Sequence, residues 1–270
     1  MDNRIRAVLG SNRVAFGAWI QMANAESVAY AGWAGYDFAL IDREHGSFDL
    51  DTTVQLLRAA AASRITPIVR VPDRNPTDIM RVLDAGAMGV LVPGVSTPEQ
   101  ASIAVRAARY APAGNRGACP YTLATTQFHG SWAEFTEWSN RNVSVWLLIE
   151  GAEGIDNIDR ILDVPGIDAI CLGPFDLSQA MGFPGQTDHP AVIERLEGIV
   201  RKARVCGVEV VAVPFATSAQ ALREEAQRWI AMGCRIVAGA TDRVALRNGL
   251  ADACAALRAT ESIAGAAPAR

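Results

Sequence analysis

Lysine is nearly absent from this chain, although basic residues are not. Among 25 lysine and arginine residues in a chain of 270, the single lysine is Lys202. The five cysteines are odd in number, and none lies in a Cys-x-x-Cys pair. A disulfide framework and a structural zinc site are therefore disfavoured, and we expect free thiols in the core.

Long apolar runs are missing as well. No stretch approaches the roughly 20 residues that a membrane helix needs, and the amino terminus leads into no signal-peptide core. We therefore expect a cytoplasmic protein with no membrane partner. The formal net charge of −4 offers no basic surface to a polyanion, so no nucleic-acid partner is expected. A hydrophobic content of 50% is that of a globular protein, and small-molecule chemistry fits it best.

Short apolar segments alternate with longer segments of helical period, which is typical of a parallel sheet with crossover helices. Eight units in about 250 residues favour an α/β fold of the (β/α)8 TIM-barrel type over an open doubly wound sheet. We expect one barrel domain over residues 1–270, with a long loop insertion at about 112–142 and a disordered tail at about 261–270. The strands are predicted at residues 16–20, 37–41, 67–71, 89–92, 144–149, 168–172, 208–213 and 235–238.

Ionisable side chains cluster at the carboxyl ends of four predicted strands, where barrels of this type place their active sites. The second strand is followed by Asp-Arg-Glu-His at residues 42–45, and the third carries Arg70. The fifth is followed by Glu150, and the sixth leads through Gly-Pro-Phe into Asp176. We therefore expect these side chains to meet at one mouth of the barrel.

Each of these residues has a structural interpretation beside the functional one. Glu150 and Asp176 are close enough in such a barrel to share one hard cation. Alternatively, Glu150 caps the following helix and Asp176 pairs with an arginine. His45 is either a general base or a structural histidine. Arg70 is either a cation for a carboxylate or oxyanion, or a bridge between acids at the rim.

The position of Lys202 excludes one chemistry. It falls within a helical pattern at residues 191–206, whereas a Schiff-base lysine must point from a strand into the barrel. If a carbanion forms beside a carbonyl here, a metal ion must stabilise its charge. No P-loop, nucleophile elbow or His-Glu-x-x-His motif is present, and no organic cofactor is expected.

Several segments, in order, resemble the HpcH/HpaI family of metal-dependent (class II) pyruvate aldolases. They are DREHGSFD, PIVRV, LDAGAMGVLVP, YAPAGNRG, LLIEGAEGIDNIDRIL and GIDAICLGPFDLSQAMGFPGQTDHP, and the resemblance covers roughly residues 10–255. It implies a (β/α)8 barrel of the pyruvate/phosphoenolpyruvate superfamily, with the last helix exchanged between subunits of a homotrimer or homohexamer. The implied reaction is reversible cleavage of a 4-hydroxy-2-oxo acid into pyruvate and an aldehyde through a metal-bound pyruvate enolate, with Mg²⁺, Mn²⁺ or Co²⁺.

The resemblance also implies the roles of particular residues. Glu150 and Asp176 match the metal ligands. The backbone at Gly173, Pro174 and Phe175 matches the segment whose N–H groups hold the pyruvate carboxylate, although Pro174 has no N–H to donate.

The remaining matches concern acid–base chemistry and charge stabilisation. His45 matches the catalytic base, and Asp84 matches the carboxylate that orients and polarises it. Arg70 matches the cation that stabilises the enolate oxygen and the aldehyde. Taken without the resemblance, Asp84 would be interpreted as a surface acid in the last turn of a helix.

Two positions depart from the family pattern: Leu148 stands where better-known members carry glutamine, and Arg43 occupies a position that is usually small. The loop at residues 117–140 also lacks lysine and arginine, whereas members that cleave dicarboxylic substrates place a cation there. We therefore expect a neutral or apolar aldehyde. We expect Tyr121, Phe128 and Trp132 to surround this aldehyde in the site.

Four other functions stay open at this point. Oxaloacetate decarboxylation and acyl-CoA cleavage would use the same site, although no basic track for a nucleotide is evident. A sugar-phosphate isomerase barrel would place a glycine-rich phosphate site after the last two strands, where this chain has fragments of one. A metabolite-binding barrel would bind pyruvate without exchanging its methyl protons.

Overall fold

The computed structural model describes residues 3–260 and contains a closed barrel of eight parallel strands in chain order. The predicted TIM-barrel fold is confirmed, and each predicted strand overlaps an observed one. The predicted tail at 261–270 lies outside the described residues. The strands are β1 Ala15–Ile20, β2 Phe38–Asp42, β3 Thr66–Arg70, β4 Gly89–Val92, β5 Ser144–Ile149, β6 Ala169–Leu172, β7 Glu209–Ala212 and β8 Ile236–Thr241.

Helices connect the strands and cover the outside of the barrel. Side-chain caps begin many of them; Asn75, for example, accepts a hydrogen bond from the Thr77 N–H ahead of a helix with proline at its first position. The helices are α1 Arg4–Gly10, α2 Ala25–Trp33, α3 Leu50–Ser63, α4 Pro76–Asp84, α5 Pro98–Ala108, α6 Leu123–Thr126, α7 Trp132–Asn142, α8 Gly151–Asp156, α9 Ile158–Leu162, α10 Pro174–Ala180, α11 Pro190–Val205, α12 Ala219–Met232 and α13 Asp242–Ala259.

Alternate residues of each strand face two different apolar layers. In β2, Phe38 and Leu40 point into the barrel, whereas Ala39 and Ile41 pack against the surrounding helices. Both faces of the strand are therefore buried, as expected for a parallel sheet covered by helices. Inside the barrel, the ring of Phe38 meets Trp146 edge to face at 5.4 Å between centroids. Gly17 makes room for that ring, because a Cβ there would come within 2.2 Å of it.

Strand register sets which side chains meet at the carboxyl ends. Asp42, the last residue of β2, is level with Arg70, the last residue of β3. Ile149 is level with Leu172 in the β5–β6 pair. The residues that follow these two, Glu150 and Gly173, therefore leave the barrel at the same height.

Helix α13 carries an apolar stripe that lies on the surface of the chain. None of the residues of α13 is buried. Leu246, Leu250 and Leu257 are 50%, 63% and 72% exposed. Within one chain, none of the described residues buries this stripe. Across residues 3–260, no helix combines the length and apolarity that a membrane crossing would need.

Candidate active site

A cavity of about 360 Å³ opens at the carboxyl ends of the strands. Its wall combines ionisable side chains from β3, from α10 and from the residues that follow β2 and β5 with apolar side chains from β5, α10 and the loop after β7. Two residues predicted for the site do not line it within one chain, Asp84 and Pro174. The predicted residues that do are His45, Arg70, Glu150, Gly173, Phe175 and Asp176.

Glu150 and Asp176 share this cavity without a basic partner. Glu150 precedes α8, but its side chain makes no capping hydrogen bond. Within residues 3–260, no ion pair involves either carboxylate, so both structural interpretations considered for them are absent there. Burial, together with the negative charges of Asp176 and Glu44, raises the pKa of Glu150. The Arg70 charge and a backbone hydrogen bond at Gly94 oppose this rise in pKa only in part. Carboxylate oxygens without an ion-pair partner are ligands that a hard divalent cation prefers, so the site fits such an ion.

Arg70 is held rigidly at the floor of the cavity. Its Nε and Nη2 donate to the two oxygens of Asp42 at 2.8 and 2.6 Å, and its Nη1 lies 3.0 Å from Glu44 Oε2. The guanidinium carbon also lies 4.7 Å from the centre of the Trp19 ring. Burial acts to lower the pKa of Arg70, but the bonds and charges of its two acids outweigh it and raise that pKa. Arg70 therefore stays a fixed cation beside the carboxylate pair.

Asp42 organises the same corner of the site and was not predicted to have a role. Besides Arg70, its carboxylate accepts hydrogen bonds from Gln21 Nε2 at 2.9 Å and from the backbone N–H groups of Glu44 and His45 at 3.1 Å each. Burial would raise the pKa of Asp42, but these bonds and the Arg70 charge hold it below its ordinary value. The signal in the sequence was the spacing, since Asp42 ends its strand three residues before His45.

His45 lies on the turn that Asp42 closes. The backbone N–H of His45 donates to Asp42, while the residue is exposed and its side chain lines the cavity. The imidazole is therefore free to reach a bound molecule, and the turn fixes where it starts from.

Within one chain, Asp84 lies outside this cavity. Its Oδ1 accepts a hydrogen bond of 2.6 Å from Arg116, whose guanidinium stacks over the Tyr110 ring at 4.6 Å. No contact joins Asp84 to His45 among residues 3–260. Its role in orienting His45 stays a prediction, and that role requires a neighbouring subunit or a different arrangement of the chain.

Within one chain, the prediction that Tyr121, Phe128 and Trp132 surround the aldehyde is wrong. Tyr121 is 90% exposed and does not line the cavity. Phe128 and Trp132 pack against Phe135, at 5.5 and 5.7 Å between ring centroids, and close a hydrophobic cluster over α7. Trp132 is still 37% exposed, but neither ring lines the cavity. The aromatic side chains that do line the cavity are Trp19, Phe175 and Phe215.

The two departures from the family pattern occupy different places. Leu148 lines the cavity and adds an apolar patch to its floor. Arg43 does not line the cavity, and its side chain is 10% exposed. Its Nη1 lies 3.9 Å from Asp78 Oδ1. Its Nε and Nη1 atoms are buried with no hydrogen-bond partner among the described residues.

A closed parallel barrel with acids, an arginine and a histidine at its carboxyl-end mouth defines an enzyme of the (β/α)8 class. The chain belongs to the HpcH/HpaI aldolase/citrate lyase family, whose model matches residues 15–238. The predicted family is thereby confirmed. So is the prediction of a carbon–carbon lyase of the aldolase type.

Three relatives illustrate the range of this fold. The 5-keto-4-deoxy-D-glucarate aldolase of Escherichia coli (strain K12) is 34% identical over 246 residues, which are 91% of this chain and 93% of that protein. The structure of citrate synthase SbnG is 30% identical with a TM-score of 0.84, and the match covers 97% of this chain and 99% of that chain. Protein CitE from Mycobacterium tuberculosis, solved in complex with magnesium and pyruvate, is 18% identical with a TM-score of 0.57 over 86% of this chain and 87% of that one. The CitE match shows the shared fold alone.

Proposed function

We propose that this protein is a class II aldolase that reversibly cleaves a 4-hydroxy-2-oxo acid into pyruvate and an aldehyde. The family is generally metal-dependent, and members act on pyruvate and an aldehyde. The observation that carries the proposal for this chain is the pair Glu150 and Asp176. Both line one cavity with Arg70 and His45, and neither is neutralised by a basic side chain among residues 3–260.

Glu150 and Asp176 would hold a divalent ion, Mg²⁺, Mn²⁺ or Co²⁺, through their carboxylate oxygens. When bound, such an ion supplies Lewis-acid polarisation of a 2-oxo acid and lowers the cost of placing negative charge on its carbonyl oxygen. The backbone at Gly173 and Phe175 would hold the pyruvate carboxylate, as the resemblance implies. Gly173 and Phe175 line the same cavity, which supports this placement.

In the cleavage direction, the bond between C3 and C4 breaks and its electrons form the enolate of pyruvate. His45, directly or through a water, accepts the proton of the C4 hydroxyl as the aldehyde carbonyl forms. The enolate then takes a proton at C3 and becomes the methyl group of pyruvate. Arg70 holds its positive charge beside the enolate oxygen throughout, and its pairing with Asp42 keeps it in place without reorganisation.

Catalysis through an imine between a lysine and pyruvate has no support from the structure. Lys202 lies on α11, and its Nζ is 2.7 Å from Asp159 Oδ1. The ion pair is partly exposed and lies away from the cavity wall. The chain has no second lysine, so an imine between the protein and pyruvate has no amine to form it. The isomerase-barrel alternative is likewise not supported, because the chain belongs to the aldolase family.

Exchange of the pyruvate methyl protons in D₂O tests the proposal without any knowledge of the aldehyde. We expect loss of the proton NMR signal when Mn²⁺ or Mg²⁺ is returned to chelated enzyme, and no loss without the ion. Glu150→Gln and Asp176→Asn should each abolish the exchange. The control is Glu153→Gln, an exposed acid one turn further along α8 that does not line the cavity.

Two results would overturn the proposal. One is exchange that persists in the chelated enzyme, and the other is a covalent adduct trapped from pyruvate by borohydride. Addition of oxaloacetate to the same sample separates decarboxylation, which releases carbon dioxide, from aldol cleavage, which releases an aldehyde.

A further inference from the structure

We propose that the aldehyde half of this cavity takes a hydrophobic aldehyde, alkyl or aryl, and not one that carries a distal carboxylate. Phe175 and Phe215 would contact its side chain, and Glu225 would act as a positioning residue for Phe215. The inference rests on the proposed function, since it names the substrate class of that same site.

The first argument is the charge of the cavity wall. Arg70 is the one lysine or arginine that lines the cavity within residues 3–260, and it already pairs with Asp42 and Glu44. A second carboxylate on the substrate would therefore lose water without gaining a cation, and it would also face Glu150 and Asp176. Removing a charge from water without a partner is strongly unfavourable.

The second argument is the apolar part of the cavity wall. Phe175 and Phe215 are 52% and 57% exposed, and their ring centroids lie 6.3 Å apart. Val213, Pro214 and Leu148 add further apolar side chains to the lining of the same cavity. Covering exposed aromatic surface with an alkyl or aryl group is favourable, by roughly fourfold in affinity for each buried methylene group.

The third argument is the way in which Phe215 is held. Glu225 on α12 accepts hydrogen bonds at Oε2 from the backbone N–H groups of Phe215, at 2.8 Å, and Ala216, at 3.3 Å. A second cavity of about 360 Å³ shares Phe215 and Val213 with the first and is also lined by Glu225. Without the Glu225 bonds, the loop after β7 would be free to turn the ring toward that second cavity.

Two aldehydes of similar shape test the substrate class. They are 4-methylpentanal, which ends in two methyl groups, and 4-oxobutanoate, which ends in a carboxylate. With pyruvate and Mn²⁺ in the synthetic direction, we expect kcat/KM for 4-methylpentanal to exceed that for 4-oxobutanoate at least tenfold. An equal or reversed ratio, in enzyme that still exchanges the pyruvate methyl protons, would overturn this inference and leave the proposed function intact. Loss of that exchange would overturn both.

Two substitutions of Phe215 test whether its side chain contacts the aldehyde. Phe215→Arg supplies the missing cation and should shift the ratio toward 4-oxobutanoate by tenfold or more. Phe215→Leu keeps the site apolar and should preserve the preference for 4-methylpentanal. If the two variants change the ratio alike, Phe215 does not contact the aldehyde.

The positioning role of Glu225 is tested by whether its substitution changes KM more than kcat. Glu225→Ala should raise the KM for 4-methylpentanal several-fold with a smaller change in kcat, whereas Glu225→Gln, whose amide oxygen can still accept, should restore most of the affinity. The matched control is Glu224→Ala on the same helix, whose Oε1 accepts from Gln220 and which does not line the cavity. Equal effects of Glu225→Ala and Glu224→Ala on KM would overturn the positioning role.

Discussion

Arg70 and Asp42 form a two-point ion pair at the ends of adjacent strands, with N–O distances of 2.8 and 2.6 Å and the Asp42 side chain fully buried. The same carboxylate receives the backbone N–H of His45. One aspartate therefore sets the position of the cation and of the turn that carries the imidazole. Arg70, Asp42 and the turn of His45 are therefore one connected unit, and substitutions within it should not act independently.

Arg70→Ala should reduce turnover far more than metal binding. The guanidinium is proposed to stabilise charge that develops on the enolate oxygen, and removal of one such group lowers kcat by about 10²–10³-fold. Steady-state kinetics give kcat, and titration with Mn²⁺ gives the metal affinity. An equal loss of turnover and Mn²⁺ affinity would contradict this role.

Asp42→Asn should destabilise the fold by about 3–5 kcal/mol at pH 7, because it leaves the buried Arg70 charge without its main partner. The pKa of Asp42 is lowered in the folded chain. Its contribution is therefore complete above the ordinary aspartate pKa, about 3.9, and is lost as the pH falls through the lower folded value.

Urea unfolding of both proteins at pH 7 and below pH 4 measures this effect. The difference in unfolding free energy between wild type and Asp42→Asn should shrink in acid. A difference that stays constant across that pH range would show that the Asp42 charge is not what stabilises the pair.

The thiols should divide into two groups. Cys171 and Cys234 are buried, and burial raises the pKa of each to about 12, so almost no thiolate is present at pH 8. The exposed thiols are Cys119, Cys206 and Cys254. With a disulfide reagent, we expect Cys171 and Cys234 not to react fast in native protein and all five thiols to react in guanidinium chloride. Five fast thiols in the native state would contradict the burial of Cys171 in β6 and of Cys234 between α12 and β8.

The exposed stripe on α13 should mediate self-association. The resemblance implies a homotrimer or homohexamer, and Leu246 and Leu250 are exposed side by side one turn apart. Leu250→Glu should lower the mass measured by light scattering at micromolar concentration, because it places a charge in an apolar contact. The control is Asp252→Lys on the opposite face of the helix. An unchanged mass for Leu250→Glu would show that α13 is not part of the contact.

The barrel and the position of its mouth were predictable, because both depend on local patterns. The apolar segments show the strands, and in a parallel barrel every carboxyl end reaches the same rim. His45, Arg70, Glu150 and Asp176 could therefore be assigned to one site before any distance was known. Asp84 and the aromatic residues Tyr121, Phe128 and Trp132 could not be placed in this way, because they lie on helices and on a long loop whose packing is not local.

The amino-acid sequence alone determined the strand order, the acids at the strand ends and the absence of a lysine for imine chemistry. Tertiary structure decided which side chains meet. Register paired Asp42 with Arg70. The first turn of α10 and the loop after β7 brought Phe175 near Phe215, and α13 kept its stripe outside the barrel. The physical reason is that strand and helix periods are set by neighbours along the chain, whereas contacts between elements depend on how whole surfaces pack.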